Sequence, residues 1–293
     1  MLISSHGGLK NADDGCFQST FSSDSVYQFC GCFPTSTSLR DSPFTIPDQL
    51  VHLLPHVYAF VLRNLIQPCP ICYNSLAALT SHPNGSVESP APGTQLQCKT
   101  CKNSYSSSET HLDLAMASGT KHYTEPLPLS IELFRNPLVS FLYERGWRQN
   151  FMWGGFPGPE KEMAKEYLKH VLGGNIIDAS CGSGMFSRLF AKSEHFAMVF
   201  ALDYSENMLR QCYEFLKQEA NLIDKKMIVL ARADIARLPF LSGSVDAVHA
   251  GAALHCWPSP SSAVAEISRV LRPGGVFVAT TFIYDGLSVL YRS

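Results

Sequence analysis

The segment NIIDASCGSGMFSRLF, residues 175–190, decides the fold of this chain. A short apolar run ends in Asp178, glycines follow at positions 182 and 184, and a helical pattern begins near Met185. Glycine is needed where a backbone approaches a ligand closely or takes a positive φ angle. The N-terminus of the next helix offers free N–H groups and the positive end of its dipole. The segment therefore predicts a strand, a ligand-binding turn and a helix.

The glycine spacing differs from that of dinucleotide-binding turns. Those turns require G-x-G-x-x-G, with a pyrophosphate on the helix N-terminus, and here Ser187 stands in place of the third glycine. An acid, Asp178, precedes Gly182 instead. This arrangement favours a ligand that carries both a carboxylate and an ammonium group, as the amino-acid part of S-adenosylmethionine does.

Downstream, short β-branched runs alternate with helical patterns. This alternation is typical of an α/β fold with a parallel, Rossmann-like sheet. Ser205 is predicted to cap the helix after the second strand, and Pro273 to end the helix before the fifth. The five strands are predicted at 175–179, 197–203, 227–232, 245–250 and 275–282.

Acidic residues follow the first three of these strands. Asp203 closes the second strand, where a doubly wound sheet places the carboxylate that holds both ribose hydroxyls. Asp234 follows the third strand, in position to accept the adenine amino hydrogen, with Ile235 packing on the ring. A single loop acid is usually only solvated. The ordered set is more specific, because the carboxyl ends of parallel strands meet at one edge.

On these motifs, residues 175–282 resemble the class I S-adenosylmethionine-dependent methyltransferases of the type 11 group, which includes the ubiquinone and menaquinone C-methyltransferases. The matching pieces are IIDASCGSG, ALDYSENML, ADIARLPFLSGSVDAVHAGAALHCW and EISRVLRPGGVFVATTF. They resemble most the plant, chloroplast-associated branch, although the family usually has glycine where Ser180 stands. The resemblance implies that S-adenosylmethionine is bound by Asp178, Ala179, Ser180, Gly182, Gly184, Asp203, Tyr204, Met208, Asp234 and Ile235.

Four cysteines form two C-x₂-C pairs upstream, Cys69 with Cys72 and Cys98 with Cys101. Each pair can hold one side of a metal ion, and four thiolates make a closed tetrahedral zinc site. A closed site is structural rather than catalytic. The alternatives are two redox pairs or inert thiols.

Composition divides the chain into three regions. Residues 1–50 are rich in Ser, Gly, Asp and Pro and are predicted to be a disordered, targeting-like tail. Residues 66–125 are predicted to be a zinc ribbon, and residues 126–293 an α/β domain, which the resemblance implies to be a methyltransferase domain whose C-terminal strands are missing. By resemblance, the fifth parallel strand would then be an uncovered edge.

The charge and hydropathy of the sequence limit the classes of binding partner that are expected. The net charge of −2 shows no overall footprint of nucleic-acid binding and leaves a local basic patch open. No apolar run approaches the roughly 20 residues that a transmembrane helix needs. The family resemblance implies the chloroplast, with plastoglobules as a site, but the acid-rich N-terminus is atypical of transit peptides. A cytoplasmic location is the alternative, and the oligomeric state is left open.

The resemblance implies a small, apolar methyl acceptor, such as a quinone or lipid. A base is needed only if the acceptor must lose a proton. The candidate is His255, whose alternative role is that of a packed loop histidine. A ribbon before such a domain is similar to bacterial ribosomal-RNA guanine-N1 methyltransferases, so RNA is the second choice of acceptor. A non-catalytic module that binds the cofactor or zinc is the third interpretation.

Overall fold

The computed structural model describes residues 17–23, 26–32, 68–78, 95–116, 166–219 and 227–282. Within these ranges, no helix combines the length and the apolar character needed to cross a membrane. The helices are α1 (Met185–Ser193), α2 (Glu206–Gln218) and α3 (Pro260–Val270), with 3₁₀ turns at Lys169–Val171 and Leu254–Cys256. The strands are β1 (Phe17–Ser23), β2 (Val26–Cys32), β3 (Leu76–Ala78), β4 (Gln95–Cys98), β5 (Ser104–Ser106), β6 (Leu112–Asp113), β7 (Asn175–Ala179), β8 (Met198–Asp203), β9 (Ile228–Arg232), β10 (Val245–Ala250) and β11 (Leu271–Phe282).

Eight of these strands form one sheet in the order β1-β2-β11-β10-β7-β8-β9-β6. The pairings from β11 through to β6 are all parallel, which confirms the predicted α/β class. The chain order reverses at β7, which lies between β8 and β10. In open sheets of this kind, ligands bind outside the carboxyl ends of the strands at the reversal.

Both faces of the central parallel strands β7, β8 and β10 are buried, so successive residues along them alternate between two apolar clusters. Ile176 packs in the cluster that contains Leu209 and Leu216 of α2. Its neighbour Ile177 packs in the opposite cluster, with Ile267 of α3. Because parallel strands covered on both faces are nearly continuous apolar runs, β7 and β10 have the boundaries that the sequence predicts.

The predicted start of α2 is confirmed, and the predicted end of α3 is shifted. The Ser205 hydroxyl accepts a hydrogen bond from the Met208 N–H, which confirms the predicted cap of α2. The prediction that Pro273 ends α3 is wrong by a few residues. The helix ends at Val270 and β11 starts at once, because Leu271 already pairs with Val245.

The N-terminal segment corrects two predictions. Residues 17–23 and 26–32, expected to be disordered, form an antiparallel hairpin of β1 and β2. The β2 strand pairs with β11 along its length, from Val276 opposite Cys32 to Phe282 opposite Val26. The edge that was expected to be uncovered is therefore paired. Since backbone hydrogen bonds with a distant strand support the hairpin, its Ser-rich local composition is a poor guide.

The described residues of the predicted zinc ribbon, 68–78 and 95–116, are called the cysteine ribbon below. They contain a three-stranded antiparallel sheet, β3-β4-β5. The ribbon then continues into β6, which pairs with β9 and becomes the last strand of the large sheet. The cysteine ribbon is therefore joined to the main sheet by backbone pairing.

Candidate functional site

A cavity of about 150 Å³ lies where the loops after β7, β8, β9 and β10 converge. This is the carboxyl edge at the strand-order reversal. Its lining is mostly apolar, with two carboxylates. The lining residues are Ser180, Gly182, Leu202, Asp203, Tyr204, Ser205, Met208, Ala233, Asp234, Ile235, Leu238, Gly251, Ala252, Ala253, Cys256, Trp257 and Pro258.

The cavity brings together most of the residues predicted to bind the cofactor. Those that line it are Ser180, Gly182, Asp203, Tyr204, Met208, Asp234 and Ile235. Asp178, Ala179 and Gly184 are not part of its lining. Asp203 and Asp234 thus share one cavity, whereas the third predicted carboxylate, Asp178, lies outside its lining and contacts other residues.

Asp203 lies at the tip of β8. One carboxylate oxygen accepts the Gly182 N–H at 2.9 Å, and the other accepts the Ser205 N–H at 2.8 Å. These bonds hold the β7 and β8 loops together and orient the carboxylate. Burial raises the pKa of Asp203 to about 6, against the opposing effect of the backbone hydrogen bonds.

Asp234 is held at the start of the loop after β9. Its carboxylate accepts the Ala236 N–H at 2.8 Å, in an Asx turn. Burial raises its pKa. Ile235 and Leu238 from the same loop add apolar surface to the cavity. This wall therefore offers a carboxylate acceptor beside apolar side chains.

Asp178 is enclosed behind the cavity. One of its oxygens lies 3.0 Å from His249 Nδ1, and the other accepts a hydrogen bond from the Ser187 hydroxyl. The Asp178 and His249 side chains are each only 2% exposed. The Phe186 ring packs against the His249 ring at an interplanar angle of 55°, with centroids 4.5 Å apart. Asp178 therefore anchors β7 to α1 and β10.

The two glycines of the turn serve different purposes. Gly182 has φ +57°, and a Cβ atom built there would meet nothing within 4 Å. Its backbone faces open space next to the cavity. Gly184 has φ +80°, and a Cβ there would collide with Cys212 Sγ of α2. Gly184 thus permits close packing, whereas Gly182 leaves room for a ligand.

Ser180 takes the left-handed conformation at φ +57°, where glycine is least strained. Its hydroxyl accepts a hydrogen bond from Trp257 Nε1 at 2.9 Å. The Trp257 residue is buried and also lines the cavity. Ser180 therefore fixes an aromatic wall of the site.

This pairing predicts a difference between two substitutions. Ser180→Ala removes the bond to Trp257 and keeps the strained φ, so we expect it to lower the free energy of unfolding by about 1 kcal/mol. Ser180→Gly removes the same bond but relieves about 1 kcal/mol of strain, so its stability should stay near that of the wild type. Urea denaturation measures both. Equal stability of the two variants would contradict this account.

The candidate base His255 lies beside the cavity rather than in its lining. It is an exposed residue of the 3₁₀ turn after β10, and its Nδ1 lies 3.2 Å from the Thr281 hydroxyl. The structure does not bring His255 together with the predicted cofactor residues.

From the loop after β10 the sequence singled out only His255, whereas other residues of that loop form a wall of the cavity. This wall consists of Gly251, Ala252, Ala253, Cys256, Trp257 and Pro258. Small residues directly after a buried strand, followed by Trp-Pro, were the available signal. Ala252 has φ +52°, and its N–H donates to the Thr280 hydroxyl on β11. The loop is thereby folded back over the sheet edge.

The four predicted metal ligands cluster in the cysteine ribbon. Their sulfur atoms all lie within 4.8 Å of one another. The Cys69 and Cys101 sulfurs are 3.6 Å apart, and those of Cys72 and Cys98 are 3.4 Å apart. Tetrahedral zinc with bonds of about 2.3 Å separates its sulfurs by about 3.8 Å. The arrangement thus fits a tetrahedral metal ion of that size.

Each cysteine pair sits in the same kind of turn. The residue after the second cysteine, Tyr73 or Lys102, has a positive φ and donates its N–H to the carbonyl of the first cysteine. The backbone N–H groups of Thr100 and Cys101 also point at Cys98 Sγ. Such donors stabilise a thiolate, which is the form that binds a metal.

Comparison with known proteins agrees with this architecture. Residues 177–279 match the family described as methyltransferase domain. A chloroplastic methyltransferase of Arabidopsis thaliana is 79% identical over 75% of this chain, and a second one is 55% identical over 73%. The chain spans 62% and 61% of their respective lengths. A demethylmenaquinone methyltransferase of Desulfitobacterium hafniense is 27% identical, covering 62% of this chain and 66% of the relative.

Proposed function

We propose that this chain, whose residues 177–279 match the methyltransferase domain family, binds S-adenosylmethionine in the cavity and transfers its methyl group to a small, lipid-like acceptor. The observation that carries the proposal is the meeting of Asp203 and Asp234, from the tips of neighbouring strands, in one apolar cavity. The proposed compartment is the chloroplast, which the names of both Arabidopsis relatives support.

The cavity residues fit the parts of this cofactor. Asp203 is the proposed partner of the ribose hydroxyls, because its carboxylate is oriented by two backbone N–H groups. Asp234 is the proposed acceptor for the adenine amino group, with Ile235 against the ring. The backbone around Gly182, where a Cβ would meet only open space, is proposed to accommodate the methionine part.

Bound S-adenosylmethionine supplies an activated methyl carbon, so the chain mainly has to position the acceptor and exclude water. The loop after β10 is proposed to do both, because Ala253 and Trp257 present apolar surface to the cavity. The bond from Trp257 to Ser180 holds this wall against the glycine turn. His255 retains its proposed role only for an acceptor that must lose a proton.

A lipid-like acceptor is supported by two observations. The cavity is lined largely by apolar side chains, including Leu202, Leu238 and Trp257. One relative is a demethylmenaquinone methyltransferase, whose name specifies an apolar quinone. The four-cysteine cluster is proposed to hold a structural zinc ion, supported by the spacing of its sulfurs.

The ribose assignment predicts a large effect of one substitution. Asp203→Ala should weaken binding of S-adenosylhomocysteine by about 5- to 150-fold, or roughly 1–3 kcal/mol, because two hydroxyls lose their partner. Isothermal calorimetry measures the change. Glu214→Ala, which removes an exposed acid of α2, is the matched control and should bind as the wild type does. An unchanged affinity in Asp203→Ala would overturn the ribose assignment.

The same residue predicts a pH dependence. Since the pKa of Asp203 is about 6, we expect affinity for S-adenosylhomocysteine to be constant above that pH and to fall by up to about tenfold per unit below it. The contribution of Asp203 to the free energy of unfolding changes with pH in the opposite direction. The raised pKa favours the protonated folded chain at low pH, and this contribution is lost as the pH rises through about 6. Calorimetry between about pH 5 and 8 tests the binding, and Asp203→Asn should remove the dependence.

The acceptor class is tested by methyl transfer from tritium-labelled cofactor. The full chain is incubated with fractionated plastid lipids in one arm and with plastid RNA in the other. Label in the lipid fraction supports the proposal, and label in RNA would replace the acceptor class. Binding of S-adenosylhomocysteine without transfer to either fraction would favour a non-catalytic module.

A further inference from the structure

Two side-chain bridges connect the cysteine ribbon to the loops that form the cofactor cavity. The first is Arg232 at the end of β9, whose side chain is only 9% exposed. Its guanidinium pairs with Asp113 of the ribbon at 3.1 Å and with Glu206 at the start of α2 at 3.2 Å. Its Nε donates to the carbonyl oxygen of Tyr204 at 3.0 Å, and its guanidinium lies over the Tyr204 ring.

This bridge ends in the cavity itself. Tyr204 lines the cavity and directly follows Asp203. Backbone hydrogen bonds also hold Arg232 to the ribbon. The Leu114 N–H donates to the Arg232 carbonyl at 2.8 Å, and β6 pairs with β9. A displacement of Asp113 would therefore reach the segment that carries the proposed ribose partner.

The second bridge begins next to a metal ligand. Tyr73 directly follows Cys72 and is held by its own N–H bond to the Cys69 carbonyl. The guanidinium groups of Arg269 and Arg237 lie 4.7 and 5.4 Å from its ring centroid. The Tyr73 ring thus packs between the turn of the first cysteine pair and two arginines, one from the loop after β9 and one from α3.

These arginines hold the proposed adenine wall. The Arg237 N–H donates to the Asp234 carbonyl at 2.9 Å. Arg269 donates to the carbonyl of Leu238 at 2.8 Å, and its partner Glu266 accepts the Leu238 N–H at 2.9 Å. Arg269 therefore fixes the Leu238 end of the 234–238 segment from outside, and Arg237 within the segment brings its guanidinium to the same Tyr73 ring.

The apolar core provides a common support for both bridges. Cys69, Cys98, Tyr105 and Leu114 of the ribbon belong to the same buried cluster as residues beneath the cavity loops, among them Leu238. The Tyr105 hydroxyl also lies 3.3 Å from Cys69 Sγ. The metal cluster and the cavity wall thus share one packed interior, and such interiors transmit displacements.

We infer that zinc in the cysteine ribbon positions the ribose and adenine walls of the cavity through Arg232 and Tyr73, so that zinc and S-adenosylmethionine each strengthen binding of the other. This inference rests on the proposed function. Arg232 and Tyr73 are positioning residues, because they act through Tyr204 and the 234–238 segment. Coupling between two sites must be reciprocal, and its usual size is about 5- to 150-fold.

The test uses the full chain and S-adenosylhomocysteine as the probe. Its dissociation constant is measured by calorimetry on zinc-loaded protein and after zinc removal by a chelator, with zinc content determined by mass spectrometry. We expect removal of zinc to weaken binding at least about fivefold. In the reciprocal experiment, competition with a chromogenic chelator should show zinc affinity rising by the same factor when S-adenosylhomocysteine is saturating.

Two variants test the coupling between zinc and cofactor binding even if the metal-free chain loses its fold. Asp113→Ala and Tyr73→Ala each remove one bridging side chain and leave all four cysteines in place. Each should keep its zinc, weaken S-adenosylhomocysteine binding and reduce the reciprocal coupling factor. Lys99→Ala alters an exposed ribbon residue outside both bridges and should leave all three measurements unchanged.

The possible results distinguish a failure of the zinc–cofactor coupling from a failure of the proposed cofactor binding. If both zinc-loaded variants bind S-adenosylhomocysteine as tightly as the wild type, with unchanged reciprocal coupling, the inference is overturned and the proposed function stands. If zinc-loaded wild-type protein does not bind S-adenosylhomocysteine, the proposed cofactor is overturned together with the coupling.

Discussion

Replacing Cys98 by serine is expected to abolish stoichiometric zinc binding and to unfold the cysteine ribbon. Cys98 is fully buried, and its sulfur lies 3.4 Å from that of Cys72. A structural zinc site contributes about 10–16 kcal/mol of apparent folding free energy in small zinc-binding peptides. A serine hydroxyl is a poor substitute for a thiolate ligand, so a large share of that contribution should be lost.

Metal analysis and thermal unfolding measure the effect of Cys98→Ser. Zinc content should fall from one ion per chain to a background level, and the unfolding temperature should drop with it. Cys256→Ser is the matched control, because Cys256 lies in the cavity wall and outside the four-cysteine cluster. A Cys98→Ser protein that keeps its zinc would contradict the proposed ligand set.

Asp178→Ala is expected to lower the free energy of unfolding by about 2–5 kcal/mol. The substitution leaves the Ser187 hydroxyl and the His249 ring without their carboxylate partner in a buried position. Each unsatisfied buried group costs about 1–3 kcal/mol. Denaturation in urea measures the loss. Asp178→Asn keeps one oxygen acceptor and should be less damaging than alanine.

The measurement also separates two roles for Asp178. If it anchors β7, the stability loss should be large, and any change in cofactor affinity should follow from loss of folded protein. A stable Asp178→Ala protein with weakened S-adenosylhomocysteine binding would instead restore the direct contact that the sequence predicts.

Local patterns predicted the central part of the fold well. The β7 and β10 strands are short apolar runs buried on both faces, so their limits are visible in the sequence. Ser205 marks the start of the α2 helix in the sequence, because its hydroxyl caps the helix. The cysteine cluster was also predictable, because each C-x₂-C pair forms a turn whose geometry depends only on neighbouring residues.

Features made by distant residues were not predictable in this way. The β1–β2 hairpin lies beside β11, at the opposite end of the chain, and its Ser-rich composition suggested disorder. The β6 strand has only two residues and forms through pairing with β9. The Trp257 wall depends on a bond to Ser180 from another loop.

The sequence by itself determined the strands of the sheet, the carboxylates at their tips and the two C-x₂-C pairs, because each depends on spacing within a few residues. Only the tertiary structure decided that Asp178 faces His249 while Asp203 faces the cavity, and that Arg232 and Tyr73 join the ribbon to that cavity. The direction in which a carboxylate points depends on which partner packs beside it. That partner comes from a part of the chain that local patterns do not specify.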